Sequence, residues 1–303
     1  MIKIIAPATS ANLGPGFDVF GIALEQPFDV MKFRERSEGI KIMVEGFEVP
    51  TSPKENVAGI VASAVLKKFD IKAGVEISLE KKIRPKSGLG SSAASAAGTA
   101  FGLCKLFNLP LSKLELVKLS LLGEKFTSGV THADNTAACI YGGFTIASYN
   151  PLSVITLKMP ENLEYAIALP EIEISTKEAR EILPKKINFE NAVSNTSNAA
   201  SFIAGICKKD IALIGRSMRD EIVEPIRKKQ VPFYGEVKKA ALAAGASGAA
   251  ISGSGPAIVA LCDSEKVDSD GVAEGMGKIC KKHGIKCDIF SGKIGRGVRL
   301  NLP

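Results

Sequence analysis

The chain has 303 residues, of which 46% are hydrophobic and 23% are charged, and its net charge is +7 at pH 7. This balance is typical of a globular protein with a sizeable apolar core, and the length favours two domains over one. Basic residues do not alternate with aromatic ones, which argues against nucleic-acid binding. The uncharged stretches 87–104 and 240–262 are rich in Ala, Gly and Ser, which argues against a membrane span.

The first half of the chain reads as strands mixed with helices. Asn56 is a candidate N-cap, and Ser112 with Glu115 forms a candidate capping box. Pro7–Asp18 reads as a turn-rich stretch. Strands are predicted at 2–6, 19–24, 28–34, 39–45, 75–80 and 144–148, and helices at 56–69, 94–107, from 112 and at about 131–140.

The second half begins at Asn150-Pro151, which is the predicted domain junction. The domains would therefore cover residues 1–150 and 151–303. Strands are predicted at 153–158, 164–169, 249–251, 257–261 and 286–291, and helices from 176 and at 188–207, 210–219, 234–244 and 264–283. The irregular alternation of strands and helices favours an α+β class in both halves. The six cysteines are scattered without a Cys-x-x-Cys pair, which predicts reduced thiols and a cytoplasmic protein.

The central motif is the glycine turn Pro85–Ser95, between a predicted strand and a predicted helix. Such a turn aims backbone N–H groups at one point, where the helix dipole favours a phosphate. The chain has no Walker A string, and a dinucleotide-binding loop fits poorly because the preceding strand is amphipathic and lies far into the chain. A kinase loop and a plain structural turn both remain open from this stretch alone.

Two further turns of small residues, Pro7–Asp18 and Ser252–Ala257, complete a pattern. Taken in chain order, the three turns resemble the three motifs of the GHMP small-molecule kinases, and the resemblance covers the whole chain. Within that superfamily the sequence is similar to the homoserine kinase family. The stretches that carry this similarity are Thr9–Asp18, Gly123-Glu124, His132–Asn135, Thr176–Arg180 and Pro225–Arg227.

The resemblance implies an N-terminal ATP-binding domain like domain 2 of ribosomal protein S5, a ferredoxin-like C-terminal domain and an active site between them. It implies ATP and Mg²⁺ as cofactors, with Ser92 and Glu124 as metal ligands. The implied ATP-binding residues are Asn56, Pro85, Lys86, Ser87, Gly88, Leu89, Gly90, Ser91, Ser92, Ala93, Ala94 and Ser95.

The resemblance also implies a reaction, the phosphorylation of the side-chain hydroxyl of L-homoserine to O-phospho-L-homoserine in threonine biosynthesis. Arginines suit the substrate carboxylate and aspartates its ammonium group. The implied catalytic residues are Asn12, Ser92 and Glu124. The implied substrate-binding residues are Asn12, Asp18, His132, Asp134, Thr176, Arg180, Arg227 and Gly253.

Several alternatives stay open at the level of the sequence. Another GHMP kinase, acting on shikimate or mevalonate, would also use a carboxylate clamp. A nicotinamide-dependent oxidoreductase and a non-catalytic protein with a degenerate kinase fold belong to other classes. Because the first turn carries Asn12 and has no lysine near it, we hypothesise that no strong general base takes part. A homodimer is compatible with the sequence.

Overall fold

The structure is a computed structural model that describes residues 1–129, 131–231 and 233–301. The strands are β1 (Ile2–Asn12), β2 (Gly16–Arg36), β3 (Ile40–Gly46), β4 (Gly74–Lys81), β5 (Phe144–Tyr149), β6 (Leu152–Leu157), β7 (Leu163–Pro170), β8 (Gly248–Ile251), β9 (Ile258–Asp263), β10 (Cys287–Lys293) and β11 (Arg299–Leu300). The helices are α1 (Val57–Lys68), α2 (Ser91–Leu106), α3 (Lys113–Ser128), α4 (Asp134–Tyr141), α5 (Thr176–Glu181), α6 (Phe189–Lys208), α7 (Ile211–Arg216), α8 (Glu224–Arg227), α9 (Tyr234–Ala243) and α10 (Ser269–Lys282). None of the described helices combines the length and the apolar composition that a membrane crossing requires.

The first sheet has seven strands and carries the glycine turn at one end. Its order is β11-β1-β2-β4-β3, and β5 and β6 extend it from β2. Strands β3 and β4 run parallel and are joined through α1, whereas the other pairs are antiparallel. Helix α2 lies on β1 and β2 and also contacts α1 and α3. The turn that precedes α2 is therefore held on a rigid support.

Strand β1 is longer than the sequence predicts. The structure continues it through Asn12, so most of the stretch described as turn-rich is strand, and only a tight turn separates it from β2. Small residues explain the difference, because Ser10 and Ala11 pair with Ile22 and Gly21 of β2 where the local pattern shows no apolar alternation. A turn-like composition here reflects close packing of two backbones.

The second sheet has four antiparallel strands in the order β10-β7-β9-β8. Strand β7 alternates between two cores: Tyr165 and Ile167 pack in the larger one, and Ala166 and Ala168 in the smaller one beside α9 and α10. This period of two is expected for a strand that is buried on both faces. Two sheets with helices segregated on them confirm the α+β class.

The predicted boundary at residue 150 falls inside a hairpin. Strands β5 and β6 pair over its whole length, from Phe144 with Leu157 to Tyr149 with Leu152. The first sheet thus continues to residue 157, and β11 returns to it near the end of the chain. The division into 1–150 and 151–303 stays a prediction.

Helix starts follow their caps. The side chain of Asn56 accepts from the Ala58 N–H, and Ser112 and Glu115 form the predicted capping box. Helix α10 begins at Ser269 and not at 264, because the Asp268 carboxylate caps it there.

Candidate active site

The three small-residue turns meet between the two sheets. The Ser252 hydroxyl donates to the Gly88 carbonyl at 2.7 Å, and the Gly253 N–H donates to the Ala11 carbonyl at 3.1 Å. Gly88 has a φ of +79°, and a Cβ at this position would lie 2.5 Å from the Ser252 carbonyl oxygen. The close approach of the second and third turns therefore requires glycine at residue 88.

A cavity of about 470 Å³ opens where the turns meet. Every residue that the sequence predicts for the site lines it, except Leu89, Ala93 and Ala94. The side chains of these three are fully buried in the protein, so that only their backbone could face a ligand. Two groups of residues form its walls. We call them the glycine-turn wall (Pro85–Ser95 with Glu124) and the arginine wall (Asp18, His132, Asp134, Arg180 and Arg227).

The glycine-turn wall ends in the N-terminus of α2. Gly90 precedes the helix with a φ of +65°, and the N–H groups of a first helical turn have no partners within the helix. Beneath them, the buried Lys81 ammonium donates to the Ser91 carbonyl at 2.9 Å and to the Ser95 hydroxyl at 3.1 Å, and it pairs with Asp29. This buried ion pair fixes the start of α2. The sequence analysis missed it because Asp29 lies 52 residues before Lys81.

Ser92 and Glu124 bring together two oxygen atoms of the kind that Mg²⁺ binds, close to the N-terminus of α2. The Ser92 hydroxyl donates to Glu124 Oε1 at 2.8 Å, and the glutamate is 8% exposed. Burial raises the pKa of Glu124 to about 7, and the hydrogen bond from Ser92 opposes this shift. One hydroxyl and one carboxylate fit Mg²⁺, which usually takes few protein ligands besides phosphate and water.

Asn56 and Lys86 contribute to the rest of this wall. The Asn56 amide caps α1 and donates to the Pro50 carbonyl at 2.5 Å, so its side chain is fixed in the cavity wall. The exposed Lys86 ammonium lies 2.8 Å from Glu173, which raises the pKa of the lysine. The positive charge of Lys86 in the glycine turn is therefore already paired with Glu173.

On the arginine wall, Arg180 holds Asp18 and His132. Nη2 of Arg180 lies 2.7 and 2.8 Å from the two carboxylate oxygens of Asp18 and 3.1 Å from Nδ1 of His132. Burial lowers the pKa of His132, although Asp18 opposes the shift. Because a guanidinium group can only donate, Nδ1 of the neutral imidazole accepts from Arg180. Nε2 is a buried atom without a hydrogen-bond partner in the described residues.

Asp134 and Arg227 are the most deeply buried charges of this wall, each 4% exposed. Burial, helped by Asp18, raises the pKa of Asp134 to about 7. Burial also lowers the pKa of Arg227 to about 10, and its Nη1 donates to the Gly253 carbonyl at 2.6 Å. Both groups would gain from a ligand of opposite charge, which would offset the cost of their burial.

Asn12 connects the first turn with the third. Its Nδ2 donates to the Gly253 carbonyl at 3.0 Å, and its Oδ1 accepts from the Asp18 N–H at 3.0 Å. The same Gly253 carbonyl accepts from Arg227, so one oxygen aligns both side chains. Thr176 lies exposed on the rim, at the first position of α5.

Phe17 is a site residue that the sequence analysis missed. The guanidinium carbons of Arg180 and Arg227 both lie over its ring, each 5.2 Å from the ring centroid. The negative face of an aromatic ring attracts a guanidinium group, so the ring stabilises two cations that repel each other. Its position directly before Asp18 was the available signal, but the two arginines are more than 160 residues away in the chain.

Comparison with known proteins places the chain in a class of kinases. The family models for the GHMP kinase N-terminal and C-terminal domains match residues 56–143 and 202–280. A homoserine kinase from Methanococcus maripaludis is 45% identical over 302 residues, which cover 98% of this chain and 97% of that relative. A crystal structure of homoserine kinase from Cytophaga hutchinsonii superposes with a TM-score of 0.94 at 39% identity, covering 99% of this chain and 96% of that one.

The chain belongs to the homoserine kinase family of the GHMP kinase superfamily. Its two-domain α+β fold is that of the superfamily. The mevalonate kinase of L. major, crystallised with R-mevalonate, shares this fold with a TM-score of 0.74, covering 98% of this chain and 96% of that one, but only 16% of the residues are identical. That likeness concerns the fold alone.

Proposed function

We propose that this protein transfers the γ-phosphoryl group of ATP to the side-chain hydroxyl of L-homoserine, giving O-phospho-L-homoserine and ADP in threonine biosynthesis. The observation that carries the proposal is a single cavity with a phosphate-type wall on one side and a wall of paired arginines and aspartates on the other. The membership of this protein in the homoserine kinase family supports the same reaction.

The glycine-turn wall is the proposed donor site. The N–H groups of the turn and of the first turn of α2 bind the phosphates, and the buried Lys81 holds this backbone in place. Ser92 and Glu124 are the proposed ligands of Mg²⁺, whose bound charge would neutralise the charge that develops on the phosphates. The remaining catalytic effect is positioning, which is what a rigid turn supplies.

The arginine wall is the proposed acceptor site. Arg180 and Arg227 bind the substrate carboxylate, and Asp18 and Asp134 bind its ammonium group. Arg180 contacts Asp18, and an amino acid bound at this pair would match both of its charges. His132, Thr176 and Gly253 complete the pocket.

Asn12 is proposed to orient the hydroxyl that attacks. Its Nδ2 carries a second hydrogen besides the one donated to Gly253, and an amide cannot act as a base near neutral pH. The hydroxyl proton therefore passes to the transferred phosphoryl group or to water. An Asn12→Ala variant that keeps full kcat would contradict this role.

The acceptor is tested by ADP release in a coupled assay with L-homoserine, shikimate and R,S-mevalonate. We expect a preference for homoserine of at least about 100-fold in kcat/KM, since an acceptor without the ammonium group leaves the buried Asp134 carboxylate without a cationic partner. A preference for mevalonate or shikimate would support the alternative acceptor. ATP without any acceptor, tested in parallel, measures background hydrolysis.

We also propose a cytoplasmic homodimer. All six cysteines are free thiols, which suits a reducing compartment. The start of α6 and the segment before it present Ile187, Phe189 and Val193, with 51%, 81% and 54% of each residue exposed, and a second copy could cover them. Light scattering after size exclusion would measure the mass in solution. A monomer at micromolar concentration would contradict the dimer.

A further inference from the structure

The hydroxyl of Tyr149 joins two separate segments of the arginine wall. It donates to the Asp18 carbonyl at 2.6 Å and accepts from the Ala133 N–H at 2.9 Å. Asp18 belongs to the first turn, and Ala133 lies between His132 and Asp134. One oxygen atom thus links the backbones that carry both proposed ammonium-binding acids.

The backbone that Tyr149 holds is strained. Asp18 has a φ of +60°, which is unfavourable for a residue with a side chain. Its N–H donates to Asn12 and its carbonyl accepts from Tyr149, so two side chains hold both polar groups of this residue. Without the tyrosine hydroxyl, the Asp18 carbonyl would lose the partner that fixes its direction.

Tyr149 performs this task from outside the cavity. It is the last residue of β5, the residue as a whole is 37% exposed, and it is not among the described residues that line the cavity. Burial of the phenol raises its pKa, so the group stays protonated and can donate and accept at the same time.

We infer that Tyr149 is a positioning residue that sets the specificity of the acceptor site, by holding Asp18 and the His132–Asp134 segment at the spacing that an α-amino group requires. The inference rests on the proposed function. It predicts that loss of the hydroxyl affects recognition of the amine much more than binding of ATP or the chemical step, because both hydrogen bonds of this hydroxyl go to the backbone segments that carry the arginine wall.

The test compares Tyr149→Phe with a matched control, Tyr165→Phe. The Tyr165 hydroxyl makes the same two kinds of bond, since it accepts from the Gln26 N–H at 3.0 Å and donates to the Gln26 carbonyl at 2.9 Å, but it does so away from the cavity. Both variants lose two backbone hydrogen bonds. A merely structural role would therefore give them the same kinetic outcome.

The readout is the ratio of kcat/KM for L-homoserine to that for 4-hydroxybutanoate, which has the hydroxyl and the carboxylate but no amine. This ratio does not depend on the fraction of active enzyme, so partial unfolding cannot imitate the effect. In Tyr149→Phe we expect the ratio to fall about 5- to 20-fold, with KM for ATP changed less than about twofold. Tyr165→Phe should keep the wild-type ratio.

An unchanged ratio in Tyr149→Phe, or an equal fall in both variants, would overturn the inference while the proposed function stands. A wild-type enzyme that does not phosphorylate L-homoserine would overturn the proposed function, whereas one that phosphorylates it without preferring it to 4-hydroxybutanoate would overturn this inference alone. Thermal unfolding of both variants provides the check on stability, and we expect similar losses.

Discussion

The two walls of the cavity differ in the chemical groups that they present. The glycine-turn wall consists mainly of backbone and small side chains, with φ values near +79° at Gly88 and +65° at Gly90, and its geometry is fixed by the fold around it. The arginine wall consists of ionisable side chains, and Arg180 contacts both Asp18 and His132. In the proposed assignment, the backbone wall binds the phosphates of ATP, and the wall of paired charges selects the acceptor.

This difference predicts which kinetic constant each wall controls. Changes on the glycine-turn wall should lower kcat, because they disturb the group that is transferred. Changes on the arginine wall should raise KM for the acceptor and leave KM for ATP nearly constant. Each experiment below therefore measures both substrates.

The largest effect is expected for Glu124→Ala. Loss of a proposed Mg²⁺ ligand should lower kcat about 100- to 1000-fold, which is the usual scale for one missing electrostatic group in a transition state. ADP release measured across a Mg²⁺ titration should show a weaker metal dependence. Glu274→Ala, on the exposed face of α10, is the matched control. An unchanged Mg²⁺ titration in Glu124→Ala would remove this residue from the metal site.

The next effect is expected for Arg180→Ala. The substitution removes the Arg180 guanidinium group that contacts Asp18 and that is proposed to bind the substrate carboxylate. We expect kcat/KM for homoserine to fall by an amount that corresponds to about 2–4 kcal/mol, mainly through a higher KM. Arg180→Lys should recover only part of this, because an ammonium group cannot form the same fork of hydrogen bonds. Arg216→Ala, at an exposed position of α7, should behave as the wild type. Equal losses for homoserine and ATP would argue against the clamp.

The two walls also differ in how far the sequence alone predicts them. The glycine-turn wall lies mostly in one stretch of eleven residues, Pro85–Ser95, so its turn chemistry is visible in the order of the letters. Asn56 and Ser112 likewise predict their helix starts, because capping is a local interaction.

The arginine wall comes from four separate segments, and only a resemblance to a family brought them together. The contact between Arg180 and Asp18 spans 162 residues, and no local pattern encodes it. Phe17 and Tyr149 were missed for the same reason, since an aromatic residue in a strand or turn is normally explained by packing. The extension of β1 to Asn12 was missed because small residues in closely packed strands resemble those of a turn.

A pH series distinguishes the walls through Asp134. Burial raises its pKa to about 7, and only the ionised form can balance an ammonium group. KM for homoserine should therefore rise as the pH falls below 7, by up to about tenfold per pH unit. Asp134→Asn should have a high KM that no longer depends on pH in this range. A wild-type KM for homoserine that stays constant from pH 8 to 6 would contradict the role of Asp134.

The same group affects the stability of the ligand-free protein with a defined sign. The pKa of Asp134 is higher in the folded chain than the value of 3.8 for an ordinary aspartate, so the folded state binds more protons between these values. The stability that this group contributes is complete below pH 4 and is lost as the pH rises through about 7. Asp134→Asn should remove that loss, which denaturant unfolding at pH 5 and pH 8 measures. Bound homoserine should have a similar effect on the wild type.

The smallest effect is expected for Phe17→Leu, which keeps an apolar side chain but removes the aromatic face below Arg180 and Arg227. Two cation–π contacts contribute about 1 kcal/mol together at partly exposed positions, so KM for homoserine should rise about 3- to 10-fold. Phe17→Tyr keeps the ring face and should retain the wild-type KM, which separates the electrostatic contribution of the ring from its volume. If both variants raise KM equally, the ring acts through its shape; if only leucine does, the arginine wall depends on an uncharged group to hold two like charges together.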